Sequence, residues 1–234
     1  MTVSIKFTVI SIFPDMVKDV LSYGVIGKAI DSGLIELETF NPRDFSQDKH
    51  HRVDDRPFGG GAGMVMMYDP LARTVDFLKQ QDNSLKLSFL SPHGNTLDQS
   101  TVNKLAETKH IVLLCGRYEG IDQRFIDKYV DNEISLGDFV ISGGELAAAV
   151  IIDAVARQIP HVLGDEESAK SDSFMNKASG KTLLGSPQYT RSDDLKQQGV
   201  PDVLLSGNHA NIAKWREQQA LKITQLKRPD LLDE

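Results

Sequence analysis

At 234 residues the chain is too long for a minimal domain and too short for more than two, so it holds one large domain or one with a small appendage. Its 40% hydrophobic and 25% charged residues suit a packed core and exclude a disordered or fibrous chain, while a net charge of −7 leaves any nucleic-acid contact to a local basic patch. A lone cysteine, Cys115, excludes a disulfide framework and a cysteine-based zinc site.

In chain order, Val3 to Phe13 alternates apolar Val3, Ile5, Phe7 and Val9 with polar neighbours and runs into Pro14-Asp15, the pattern of a half-buried strand followed by a helix start. Leu34 to Phe40 repeats the alternation. Between Asn41 and Gly63 lies an irregular stretch with Arg43, Lys49, Arg52, Arg56, four acids and Gly59-Gly-Gly-Ala-Gly63, longer than the ~12–15 residues beyond which a structureless loop usually has a function. It is read as a lid or binding loop. Helical spacing over Pro70–Gln80 and Leu97–Glu107 separates two further strands, Leu85–Ser91 and His110–Gly116. Strands alternating with helices predict a mostly parallel α/β sheet.

Ser142-Gly-Gly-Glu145 has the spacing of a capping box and opens the most hydrophobic helix, running to about Gln158. Its longest unbroken apolar run, Leu146 to Ile152, is far below the roughly 18 residues of a membrane span. The N-terminus is too polar for a secretory signal. These features predict a cytoplasmic protein without membrane contact. From Pro160 to Ser192 large apolar residues thin out and Asp165-Glu-Glu167, Ser and Gly take over, which marks a linker. The division is therefore 1–160, a linker over 161–192, and a small helical domain over 193–234 built around a helix near Ile212–Leu226 with Trp215 on it.

Several patterns carry chemistry. Gly59 to Gly63 suits either a flexible loop or a backbone cradle for a ligand. Ser179-Gly-Lys-Thr182 imitates the end of a P-loop, but Met175 stands where the motif needs glycine, so it is a decoy. Three segments at strand ends, Ser91-Pro-His-Gly94, Cys115-Gly-Arg-Tyr-Glu-Gly-Ile-Asp122 and Ile134 to Gly144, lie where open α/β sheets bind ligands; they read equally as ordinary strand-to-helix turns. Arg157 has a local explanation, a cation in the last helical turn four residues after Asp153. Asp172 reads by composition as a solvated acid. Between Gly207 and Arg228, Lys214, Arg216, Lys222, Lys227 and Arg228 face a single acid, Glu217, which is enough for a phosphate-contacting face; the composition suits a solvated helix face with Trp215 turned inward equally well.

Taken in order, Val53-Asp-Asp-Arg-Pro-Phe-Gly-Gly-Gly-Ala-Gly-Met64, Leu90-Ser-Pro92, Cys115 to Asp122, Gly137-Asp-Phe-Val-Ile-Ser-Gly-Gly-Glu-Leu146, Asp153-Ala-Val-Ala-Arg157, Ser206-Gly-Asn-His209, Lys214-Trp-Arg216 and Arg228-Pro-Asp-Leu-Leu232 make the chain resemble the bacterial tRNA (guanine-37-N1)-methyltransferase family along almost its whole length. Ala62 and Ala147 stand where that family usually has Pro, and Asn208 where His is common. None of these departures removes a reactive group.

The resemblance implies a trefoil-knotted SPOUT domain, a homodimer, and S-adenosylmethionine bound by the knot loops: Leu90, Ser91 and Pro92; Gly116, Tyr118, Glu119 and Gly120; Ser135, Leu136, Gly137, Asp138, Phe139, Val140 and Ile141; and Gly143, Gly144 and Leu146. It implies Asp172 as the base that takes the guanine N1 proton, Arg157 as the cation facing charge that builds on O6, and Glu119 as a third member of the catalytic set. Asp54, Arg56, His209, Lys214 and Arg216 would contact the anticodon arm of tRNA, with no role for DNA. Mg²⁺ is expected to assist, although no ligand cluster for it stands out. The competing expectations are a SPOUT enzyme acting on another RNA atom, such as a ribose hydroxyl, and a catalytically silent RNA- or nucleotide-binding module.

Overall fold

The computed structural model describes residues 3–164, 169, 171–175, 177–178 and 181–233. The chain divides into two compact units, Met1–Gly164 and Asp165–Glu234. Within the first, five strands, β1 (Ile5–Ile10), β2 (Ile35–Phe40), β5 (Leu87–Thr96), β6 (His110–Cys115) and β7 (Asn132–Ser135), form one sheet in the order β2-β1-β6-β5-β7. Every pairing in it is parallel. Such a sheet needs cover on both faces, so its central strands are apolar throughout; β6 is buried from Ile111 to Cys115.

One face packs Phe7, Val9, Leu113 and Cys115 against α1 (Pro14–Leu21), α2 (Gly24–Asp31), α4 (Gln99–Ala106) and α6 (Gly144–Ala156), and the other packs Ile10, Phe89, Val112 and Leu114 against α3 (Tyr68–Gln81) and α5 (Gln123–Tyr129). The neighbours Leu113 and Leu114 thus point to opposite cores, as a period of two requires. The α1 helix begins where Pro14 supplies a pre-set φ at the first helical position. The irregular 41–63 segment contains a short 3₁₀ turn, Pro42–Phe45, and β3 (Asp54–Asp55), which pairs antiparallel with β4 (Val65–Met66).

Near the site the sheet is irregular. Ile134 of β7 is opposite Leu90 and again opposite Asn95 of β5, so Ser91 to Gly94 bulge out of register. A Cβ on Gly94 would lie 2.4 Å from the Ile134 nitrogen, and only glycine permits that approach.

The predicted capping box is not used. α6 starts at Gly144 with Gly143 as its N-cap and no side-chain cap, because Glu145 turns inward and is 1% exposed.

In the second unit β8 (Lys177–Ala178) and β9 (Lys181–Thr182) pair antiparallel, followed by α7 (Asp202–Leu205), α8 (His209–Lys227) and a final 3₁₀ turn, Pro229–Leu232. Asn208 caps α8 by accepting from the Asn211 N–H at 3.2 Å. Little of α8 is buried besides Ala220 and Thr224. The Thr224 hydroxyl accepts from the Leu184 N–H at 2.9 Å, beside the fully buried Leu183. The second unit thus takes in most of the stretch read as a linker, whose residues 165–168, 170, 176, 179 and 180 lie outside the described residues; the P-loop imitation falls partly there.

Candidate active site

Three chain segments, one in the middle of β5 and two beyond the carboxyl ends of β6 and β7, meet around a cavity of about 280 Å³. Leu90, Ser91 and Pro92 supply one wall from the out-of-register bulge. Gly116, Tyr118, Glu119 and Gly120 supply the second, where the chain leaves β6. Ser135, Leu136, Gly137, Phe139, Val140 and Ile141, then Gly143 and Gly144, close the third. Tyr118 sits at φ +60°, a left-handed conformation that few non-glycine residues adopt, and Gly120 and Gly137 take φ +131° and +143°, which glycine reaches without strain. Of the expected lining residues, Asp138 and Leu146 lie outside the wall, and Leu146 is 44% exposed on the outer side of α6.

A polar network centred on Arg117 is built into the wall. Its Nε donates to Glu145 Oε2 at 2.9 Å and its Nη1 to the Ser142 carbonyl at 3.0 Å. Ser11 donates its hydroxyl to Glu145 Oε1 at 2.6 Å and accepts from the Phe13 N–H at 2.8 Å. The guanidinium also lies 4.7 Å from the centre of the Phe13 ring. The loop after β6 and the loop before α6 are thereby held to one another through a buried carboxylate.

Gly143 makes this crossing available, since a Cβ there would fall 2.1 Å from Arg117 Nε. Gly143→Ala is therefore expected to displace the guanidinium and weaken ligand binding in the cavity by about tenfold or more, roughly 1.4 kcal/mol. Titration calorimetry against wild type checks this, and unchanged affinity would show that the crossing is dispensable.

The 41–63 segment reaches the same rim. Glu119 N–H donates to the Met64 carbonyl at 2.9 Å and Met66 N–H to the Gly120 carbonyl at 2.9 Å. Gly63, at φ +79°, packs so closely on Glu119 that a Cβ would meet its carboxyl group at 2.4 Å. Partial burial and the Asp54 carboxylate push the Tyr118 phenol above its usual pKa, while Arg43 opposes that shift. Asp54 is thus beside the rim, and Arg56 is exposed just past β3.

The remaining candidates are not among the residues that line the cavity. Arg157 is the half-buried C-cap of α6, its N–H on the Asp153 carbonyl at 3.1 Å. Asp172 belongs to the second unit, exposed, its carbonyl accepting from the Met175 N–H at 3.2 Å. His209, Lys214 and Arg216 are exposed on α8. Trp215 is half-buried beside Tyr189, ring centres 6.3 Å apart.

Over residues 5–234 the chain matches the family described as tRNA (Guanine-1)-methyltransferase TrmD. It belongs to that family. A tRNA (guanine-N(1)-)-methyltransferase of Pseudoalteromonas translucida (strain TAC 125) is 51% identical over 232 residues, 99% of this chain and 89% of the relative. One of the same name from Aliivibrio salmonicida (strain LFI1238) is 52% identical over 225 residues, covering 96% and 88%.

As a member of this methyltransferase family the chain needs a methyl donor, and the cavity suits S-adenosylmethionine. Phe89, Ile134, Leu136 and Ala147 offer apolar walls for a ring, glycine-rich loops bring peptide groups near, and Glu119 gives a cationic ligand a carboxylate. The charge of Arg117 is already answered by Glu145, so it does not repel such a ligand. For Mg²⁺ the fit is different: among the described residues no three His, Cys, Asp or Glu side chains come together as metal ligands, and no step is assigned to the ion. No helix among the described residues is long and apolar enough to cross a membrane.

Sequence reasoning missed Phe89, Arg117, Ile134, Ser142 and Ala147 as wall residues. Arg117 had a signal, since it stands between Gly116 and Tyr118 directly after a buried strand, where an unpaired cation would be costly.

Proposed function

We propose that this methyltransferase transfers the methyl group of S-adenosylmethionine to N1 of guanine-37, beside the anticodon of tRNA. The observation that carries the reading is the convergence of three strand-end loops on one cavity in a chain of this family. When bound, S-adenosylmethionine supplies an electrophilic methyl that leaves its sulfonium for the guanine nitrogen.

The protein's own residues do the rest. Neutral guanine carries a proton on N1, so a base must remove it as the new bond forms. The Asp172 carboxylate accepts that proton. The electron pair left behind is shared with O6, where the Arg157 guanidinium offsets the growing negative charge. Glu119, on the cavity wall against Gly63, belongs to both the cofactor and the catalytic set. The target base leaves its stack to reach the donor, and the rim at Asp54 and Arg56 receives it. Exposed Lys214 and Arg216 with His209 grip the anticodon arm, in a small helical domain over 193–234 joined to the 1–160 catalytic domain by the 161–192 linker.

Two further features belong to the proposal. Membership of this family supports a trefoil-knotted SPOUT arrangement of these loops. Phe13 just before α1, Val20 on α1, and Leu146 and Val150 on α6 are between 44% and 49% exposed, and these exposed apolar side chains support a homodimer. The enzyme would act in the cytoplasm, with no membrane or DNA partner.

The test is methyl transfer from labelled S-adenosylmethionine to unmodified tRNA transcripts carrying G or A at position 37. Incorporation at N1 with G37 alone is expected. Incorporation irrespective of that base, or none on any tRNA, would overturn the proposal.

A further inference from the structure

We infer that Phe58 is a stacking platform for an unpaired nucleobase of the RNA substrate, the base left beside the guanine that has been drawn out. The inference rests on the proposed tRNA substrate and adds to it the contact that holds the opened strand. Phe58 is 96% exposed, which leaves an entire aromatic ring without cover in a chain whose other phenylalanines are at most 56% exposed. Its conformation is built rather than loose. The Gly60 N–H donates to the Pro57 carbonyl at 3.2 Å, so Phe58 and Gly59 are the central residues of a tight turn. Gly59 has φ +85°, the left-handed value that the third position of a type II turn demands.

Position and charge name the occupant. Residues 56–64 form the loop of the β3–β4 hairpin, and its far side is tied to the cavity rim by the Glu119–Met64 and Met66–Gly120 hydrogen bonds. The ring therefore stands on a stalk rooted where the methyl acceptor must enter. Arg56, exposed at the start of the same loop, places a cation two residues from the ring, while Asp54 and Asp55 stay at the base of the hairpin. An aromatic face with a neighbouring guanidinium matches a base and its phosphate. Gly59, Gly60 and Gly61 have open space where a side chain would stand, so the residues that follow Phe58 put no side chain in the way of a planar ligand.

The experiment compares Phe58→Ala, Phe58→Leu and Phe58→Tyr for methyl transfer, S-adenosylmethionine affinity and sedimentation, using full-length protein. Phe58→Ala and Phe58→Leu are expected to raise KM for tRNA by roughly ten- to a hundredfold with unchanged cofactor affinity, and Phe58→Tyr to stay near wild type. A transcript with 2-aminopurine in place of either neighbour of position 37 should lose fluorescence on binding wild type and less on binding Phe58→Ala. An active wild type with unaltered KM in Phe58→Ala overturns the stacking role alone, and full rescue by leucine overturns it in favour of plain apolar contact. A changed sedimentation coefficient in Phe58→Ala assigns the ring to a contact between copies and also overturns it. Failure of the wild type to methylate any tRNA removes the RNA reading itself.

Discussion

Asp172→Ala is expected to lower kcat by about 10²–10⁴-fold, the range supplied by a positioned general base, while S-adenosylmethionine affinity stays within about twofold. Affinity is spared because the described residues that line the cavity all belong to the first unit. A loss of that size corresponds to about 3–5 kcal/mol of transition-state stabilisation. With the proposed acceptor of the N1 proton removed, the residual rate should climb with hydroxide concentration, which deprotonates guanine directly. Single-turnover rates across a pH series, with calorimetric cofactor binding alongside, check both statements. A variant within threefold of wild type would return Asp172 to the ordinary exposed acid that its composition suggests.

Neither Asp172 nor Arg157 is legible from local chemistry. An acid in Lys170-Ser-Asp-Ser-Phe174 and an arginine at the end of a helix each satisfy a bland rule, solvation in one case and the macrodipole in the other. Only the resemblance of the whole chain to its family singles them out. The sheet was far more accessible. The alternation around Val3–Phe13 becomes β1 at Ile5–Ile10, and the stretches 34–40, 85–91 and 110–116 become β2, β5 and β6 with ends shifted by a few residues. Strand β7 was lost in a loop because Asn132 and Glu133 have no strand signal, and its four residues are fixed by long-range pairing with β5.

The course of β5 was illegible for a related reason. Pro92 and Gly94 read as a turn, yet the strand resumes pairing at Asn95 after the bulge. The cavity was visible as glycine-bearing strand ends but not as one place, since neither spacing nor composition says which ends are neighbours. The order β2-β1-β6-β5-β7 does, by making β5, β6 and β7 adjacent.

Glu145 shows how a correct local pattern can point away from function. Serine three residues before glutamate satisfied a capping rule, whereas the carboxylate is fully buried and holds Arg117 and Ser11. Glu145→Leu is expected to destabilise the fold by about 3 kcal/mol, at the lower end for breaking a buried ion pair because the Arg117 side chain keeps 17% exposure. For a chain of this size that lowers Tm by about 6–12 °C. Cofactor affinity should fall with it, since the freed guanidinium no longer fixes the Ser142 carbonyl beside Gly143.

Stability and positioning separate in the double variant Arg117→Met with Glu145→Leu. Replacing both charges by apolar side chains removes the unpaired cation, and such replacements of buried pairs are often neutral or better. The double variant should therefore recover most of the lost Tm, as read by calorimetry, yet bind S-adenosylmethionine about tenfold or more weakly than wild type, because no donor reaches Ser142. If it bound the cofactor as tightly as wild type, the network would be a support of the fold alone, and the two loops would hold their places without it.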